Sequence, residues 1–284
     1  MSTVQAWGKL DRRHPDPATA PRLSLVAHCI DVAAVTRALI ELPTWQQRLC
    51  RLNGERPFTP VDLDRLTVLA FLHDVGKAGS GFFSKALAAD ERHRWKVKHA
   101  VPDAQFGHTR TVAPLLGFAP AFEQHRQAIG IEEIACWCGG EDQREPVLDL
   151  WLAAVSHHGE PISVQGLTET RGTSHWPIWQ VPVAGYDPLG GLLDLGRTAK
   201  ALWPDAWRDG AAFGVPSQGL IHAFAGVVSL ADWIGSNTDE GFFPYDFAPQ
   251  DASRWPLALH RAREVLRAMR IDVEAARVQL RMRS

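Results

Sequence analysis

The chain has 284 residues, 45% hydrophobic and 22% charged, and its 30 Lys and Arg against 32 Asp and Glu leave a formal net charge of -2. These proportions exclude a disordered tail, a collagen-like rod and a histone-like basic protein, and the length allows one large domain or two small ones with a sizeable core. No apolar run reaches the roughly 18 residues of a membrane span, residues 1–14 lack a signal-peptide core, and four cysteines make no disulfide scaffold, so a cytoplasmic location is expected.

Helical periodicity dominates and strand signal is weak. Leu25, His28, Val32, Val35 and Leu39 share one face of a first helix, with Ser24 as its N-cap. A second helix follows Pro60, carries Leu66, Val68, Leu69, Phe71 and Leu72, and ends near Gly76. A third, with Leu148, Trp151, Leu152 and Val155 as its stripe, ends at Gly159. A fourth runs from about Gln218 to Gly235. A fifth, Trp255 to Arg281, is rich in Ala, Arg, Leu and Glu and reads as a docking or connecting element. Over residues 160–216 Pro, Gly and Trp are frequent and the periodicity is broken except near Leu192 to Leu202. No flexible linker brackets this stretch, so it reads as a long irregular excursion on a single helical scaffold. Trp176, Trp179, Trp203 and Trp207 either anchor it or line a partner surface.

Twelve histidines stand out. His73 and Asp74 are adjacent at the end of an apolar helix. Helical neighbours point about 100° apart, so the two would grip two sides of one site or one metal each, and a carboxylate can bridge two metals. Alone, the pair is more often a solvated helix end with Gly76 as C-cap. His28 sits within an apolar stripe, His157 and His158 end another apolar helix, and His108 opens the segment leading to Val112, Leu115 and Leu116. Asp232 lies in the apolar run Leu230 to Ile234, where a buried carboxylate is costly without a cation. Ser236, four residues on, shares its helix face. One shared metal cluster accounts for all five segments. Cys136 and Cys138 have no second pair to complete a zinc site and read as ordinary thiols.

A net charge of -2 gives nucleic acid no global attraction, so binding must be local. Arg92, Arg94, Lys96 and Lys98 flank Trp95. They form either a single-strand platform, with phosphates on cations and a base on the indole, or a solvated helix face.

The ordered set resembles the HD nuclease domain of the CRISPR type I helicase-nuclease, within the HD superfamily of metal-dependent phosphohydrolases. The resemblance is carried by His28, His73-Asp74-Val75-Gly76-Lys77, Phe83 and Lys85, His108, Ser156-His157-His158-Gly159 and Ala231-Asp232-Trp233-Ile234-Gly235-Ser236, over about residues 20–240. It implies an all-α HD-domain helical bundle, one nuclease domain over 1–284, with the last helix (255–284) a possible connector to a helicase. It also implies two metals. His28, His73, Asp74 and Asp232 would hold the first, and Asp74 as bridge with His108, His157 and His158 the second. His99 and His125 compete with His108 for its place. His14, His93, His175, His222 and His260 have none, and read as surface or packing residues. Imidazoles and carboxylates without thiolates suit Mn, Fe, Co or Ni better than Mg. With Asp74 as catalytic bridge, Lys77 would bring charge to the phosphate or merely complement a helix dipole. Ser236 would support a ligand or the substrate, or simply pack.

The function implied is metal-dependent cleavage of single-stranded DNA in CRISPR interference, an antiviral defence, alongside a surveillance complex and a helicase. No Gly-x-x-x-x-Gly-Lys-Ser/Thr motif occurs, so the helicase would be a separate subunit or lie in cis beyond this chain. Two other functions compete: an HD phosphohydrolase with a closed pocket for small or cyclic nucleotides, and an inactive HD module that binds partners.

Overall fold

The computed structural model describes residues 4–11, 13–17, 19–116, 120–138, 144–159, 176–208, 215–273 and 278. Two short strands, β1 (Trp7–Leu10) and β2 (Arg22–Ser24), pair antiparallel at the start of the chain. Then come α1 (Leu25–Glu41), α2 (Pro43–Leu52), α3 (Pro60–Phe71), α4 (Ser80–Phe83), α5 (Ala89–Lys98), α6 (Ala113–Leu116), α7 (Glu123–Ile129) and α8 (Ile131–Ala135). The order closes with α9 (Arg144–Val155), α10 (Pro177–Gln180), α11 (Pro188–Leu202), α12 (Gln218–Gly235) and α13 (Arg254–Ala268). This is the all-α fold expected. Among the described residues no helix is long and apolar enough to cross a membrane.

Helix α1 is the axis. Ser24 Oγ accepts from the Ala27 N–H at 3.1 Å and caps it. Its side chains are buried nearly all round, so it is enclosed rather than amphipathic, with α3, α12 and α13 packed around it. Helix α3 starts with Pro60 in its first turn and a reciprocal capping box between Thr59 and Asp62. It ends at Phe71, earlier than Gly76. Leu72 leaves the helical region (φ -87°, ψ 9°), His73 and Asp74 form a tight turn, and Val75–Ala78 is one turn of 3-10 helix.

Three further differences from the sequence reading matter. The β1–β2 hairpin is absent from it, because four residues alternating around a glycine give too short a signal. Within 160–216 the described residues are more regular than expected, with α10 and α11. The periodic part is α11, started by Pro188 and the Asp187 cap, and Leu192, Leu195 and Ala199 of α11 are fully buried. Residues 160–175, among them His175, and 209–214 lie outside the described residues. The helix expected over 255–281 is interrupted: Val273 and Val278 are helical again, but α13 itself ends at Ala268, followed by Arg270 in the left-handed conformation (φ 57°). Helix α13 is a core helix, burying Ala258, Ala262, Val265 and Leu266.

Candidate metal centre

Three helix C-termini converge beside α1. The turn after α3 supplies His73 and Asp74, the turn after α9 supplies His157 and His158, and the last turn of α12 supplies Asp232. His28 comes from the first turns of α1, and His108 from the loop before α6. The ligand atoms of His28, His73, Asp74 and Asp232 all lie within 4.8 Å of one another, and so do those of His108, His157 and His158. The earlier end of α3 explains how two consecutive residues serve one site. They sit in a turn, not on a helix, and the 100° separation does not apply to them.

Asp74 joins the two groups. Its Oδ2 is 2.8 Å from His28 Nε2 and 3.3 Å from His73 Nε2. Its Oδ1 is 3.3 Å from His108 Nε2 and 3.7 Å from His157 Nε2. Asp232 spans them as well, with Oδ1 3.6 Å from His73 Nε2 and Oδ2 3.9 Å from His157 Nε2. His108 and His158 face each other at 3.0 Å between Nε2 atoms.

These residues fit divalent metal. His73 Nδ1–H donates to the Ala70 carbonyl (2.8 Å) and His157 Nδ1–H to the Ala154 carbonyl (3.0 Å). In the neutral ring each bond fixes the tautomer, leaving a lone pair on the Nε2 that faces the carboxylates. Both of those Nε2 atoms and Asp74 Oδ1 are buried without a hydrogen-bond partner, an arrangement that is costly unless a cation lies between them. Three of the imidazoles titrate in agreement with this. Burial, reinforced by Lys77, lowers His28 to about 4, and burial lowers His108 to about 3 and His157 to about 4, so all three are neutral ligands at pH 7. His73 differs: against the same burial, Asp74 and Asp232 raise it to about 9, so its Nε2 carries a proton that a bound cation would displace. Burial would raise Asp74 and Asp232 too, but Lys77 and His73 hold Asp74, and His73 holds Asp232, well below the usual carboxylate range. The negative ends of α3, α9 and α12 add to the pull on a cation.

Lys77 Nζ forms an ion pair with Asp74 and donates to the Gly8 carbonyl at 3.0 Å. Ser236 Oγ donates to Asp232 Oδ1 at 2.9 Å, so it orients a candidate ligand. Of the three histidines competing for one place, His108 reaches the centre. His125 bonds the Trp179 carbonyl and His99 lies against Trp95. Gly76 is no helix cap. A Cβ there would fall 1.7 Å from the His108 carbonyl oxygen, so the missing side chain is what lets the His108 loop reach Asp74.

The basic segment is helix α5, and it divides. Trp95 is buried and its indole N–H donates to the Pro182 carbonyl (3.1 Å), which corrects the expectation that it stacks a base. Arg92 and Lys96 line the cleft at the centre; Arg94 pairs with Asp90 on the exposed side, where Lys98 also lies. That cleft, about 1310 Å³, has His108, His158 and Asp232 among its lining. His14 and His93, expected only as surface or packing residues, line it too, while His222 and His260 are exposed. Trp179 and Trp203 are buried and Trp176 and Trp207 half-buried, so these four anchor their segment. Cys136 is free and exposed.

A family model described as "Cas3, HD domain" matches residues 7–240. A solved chain described as "Crystal structure of CRISPR-associated protein" superposes with a TM-score of 0.58 at 24% identity, over 93% of this chain and 26% of that one. Another, described as "CRISPR RNA-guided surveillance complex, pre-nicking", gives 0.55 at 18% identity, over 94% of this chain and 29% of that one. At these identities the likeness is one of fold, and the chain spans between a quarter and a third of the length of the solved chains. No curated protein matches it.

Proposed function

The chain belongs to the Cas3 HD-domain family, an HD-type metal-dependent hydrolase family, and from that premise we propose that it cleaves single-stranded DNA by phosphodiester hydrolysis in CRISPR interference. The observation that carries this reading is the pair of ligand groups joined through Asp74 at the floor of an open cleft. Its volume, about 1310 Å³, exceeds the roughly 300–1,000 Å³ of small-molecule pockets, which favours a polymer over a nucleotide.

His28, His73, Asp74 and Asp232 would hold one divalent ion, and Asp74 with His108, His157 and His158 a second. Five imidazoles and two carboxylates fit Mn, Fe, Co or Ni, and fit Mg less well. Bound there, the ions would supply Lewis-acid charge at the scissile phosphate and activation of water. Asp74 keeps the two groups in register. Ser236 keeps Asp232 turned inward. Lys77, fixed at the cleft floor, offers its ammonium to the phosphate as charge builds in the transition state. Arg92 and Lys96, with Arg94 and Lys98 farther out, hold flanking phosphates. A cytoplasmic setting, a surveillance complex that presents the strand and a helicase in cis or as a separate subunit complete the reading.

The test is to give the Mn- or Ni-loaded protein circular single-stranded DNA and a panel of nucleotides and cyclic nucleotides. The expected outcome is opened and shortened circles, abolished in Asp74→Ala. Turnover of a nucleotide with the circles intact would overturn the proposal in favour of a small-nucleotide phosphohydrolase.

A further inference from the structure

One wall of the cleft comes from outside every motif in the sequence. Lys9 and Arg13 of the N-terminal hairpin line it together with Lys85, Arg92 and Lys96 from the α4–α5 side, and Lys77 lies at its floor. That makes six Lys and Arg in its lining, against Asp11, Asp103, Asp239 and the candidate ligand Asp232, in a chain whose net charge is -2.

The hairpin is seated, not loose. Trp7 Nε1–H donates to the Phe83 carbonyl at 3.2 Å, and the Gly8 carbonyl receives Lys77 at 3.0 Å. Gly8 lies flat on His28: a Cβ at residue 8 would come 2.5 Å from His28 Cβ. Beyond that anchor the Asp11 N–H donates to the Pro21 carbonyl at 2.9 Å, and Arg13, exposed, lines the cleft. Of the large aromatics at the cleft, Trp7 and Phe82 are buried and Phe106 and Tyr245 half-buried, so its charged side chains, not a broad open ring, face the cleft.

We propose that the N-terminal hairpin is a nucleic-acid-binding element, with Lys9 and Arg13 gripping the sugar-phosphate backbone of a single strand that Arg92 and Lys96 hold from the other side. The inference rests on the reading that this chain acts on single-stranded DNA. A groove lined by six cations holds a strand mainly through its phosphates, so binding depends little on sequence and falls steeply with salt.

The experiment uses the full chain, stripped of metal for binding and Mn-loaded for cutting. Binding of a fluorescent 20-mer of thymidylate is followed by anisotropy from 50 to 200 mM NaCl. Arg13→Glu is expected to weaken binding about tenfold at the lowest salt and to flatten the slope of log K against log salt by about 0.7 for each phosphate no longer neutralised. Arg13→Lys, which keeps the charge, restores binding, and Arg267→Glu on the exposed face of α13 leaves it unchanged. Bound metal is equal in all four proteins. A wild type that binds and cuts single strands, with Arg13→Glu indistinguishable from it, overturns the hairpin inference and leaves the proposed function standing. Loss of metal in Arg13→Glu also overturns the inference, since the hairpin would then act on the ligands. A wild type that neither binds nor cuts single strands overturns both.

Discussion

Asp74 is the residue on which the centre turns, because its two oxygens face different imidazoles. Oδ2 meets His28 and His73, and Oδ1 meets His108 and His157. Ser236 reaches the same centre at one remove, through Asp232. The two should therefore fail differently. Asp74→Asn keeps the shape and removes the charge, and should lower Mn affinity beyond the roughly 10–100-fold that outer partners of a metal site contribute. Ser236→Ala should cost about tenfold, the low end of that range. Titration calorimetry with Mn and metal counting by mass spectrometry measure both. Equal losses would mean that Asp74 is no bridge.

At the scale of elements, the site is a set of helix ends. Ala70 and His73 at the end of α3 repeat in Ala154 and His157 at the end of α9. In each, a carbonyl of the last turn takes the imidazole Nδ1–H three residues on and aims Nε2 at the carboxylates. The candidate ligands are legible in the sequence only as a set, because each alone has a commoner structural explanation while one metal cluster accounts for all five segments. The turn that joins His73 to Asp74 is not, since Phe71 and Leu72 continue the helical pattern past the point where the backbone leaves it. Trp95 misleads for a related reason. Its flanking charges point to solvent, while its own ring turns inward to the Pro182 carbonyl. Gly76 reads as punctuation in the sequence, while its role in the fold is close approach. Gly76→Ala pushes against the His108 backbone, which no rotamer change relieves. It should cost about 1–3 kcal/mol of stability as overpacking and shift the His108 loop away from Asp74. Thermal unfolding and metal counting read the two effects. A variant with unchanged stability and full metal content would show that the loop adapts.

At the scale of the whole molecule, one buried ion pair ties the C-terminal region to the central helix. Arg254 of α13 lies outside the region matched by the family model, and it forks onto Asp31 of α1 at 2.7 and 2.9 Å. Both side chains are fully buried, one turn along α1 from His28. Helix α13 thus clamps the helix that carries the candidate metal ligand His28. Burial raises Asp31 to about 7, although Arg254 pulls it down. Removing either partner leaves the other buried, but the two respond differently to a lone charge. A carboxylate can take up a proton, whereas a guanidinium cannot release one. In Arg254→Met, Asp31 titrates higher still. An acid whose folded pKa lies above its unfolded value contributes stability below the unfolded pKa and loses it as pH rises through the folded one. Wild type completes that loss near pH 7 and the variant continues beyond it, so the variant's deficit should widen above pH 7, by up to about 1.4 kcal/mol per pH unit. Asp31→Asn leaves Arg254 charged at every pH. Its deficit, about 3–5 kcal/mol for a broken buried pair, should not widen as pH climbs from 7 to 9. Denaturant unfolding at pH 6, 7, 8 and 9 separates the two. Parallel deficits in both variants would mean that water reaches the pair and the clamp is not dry.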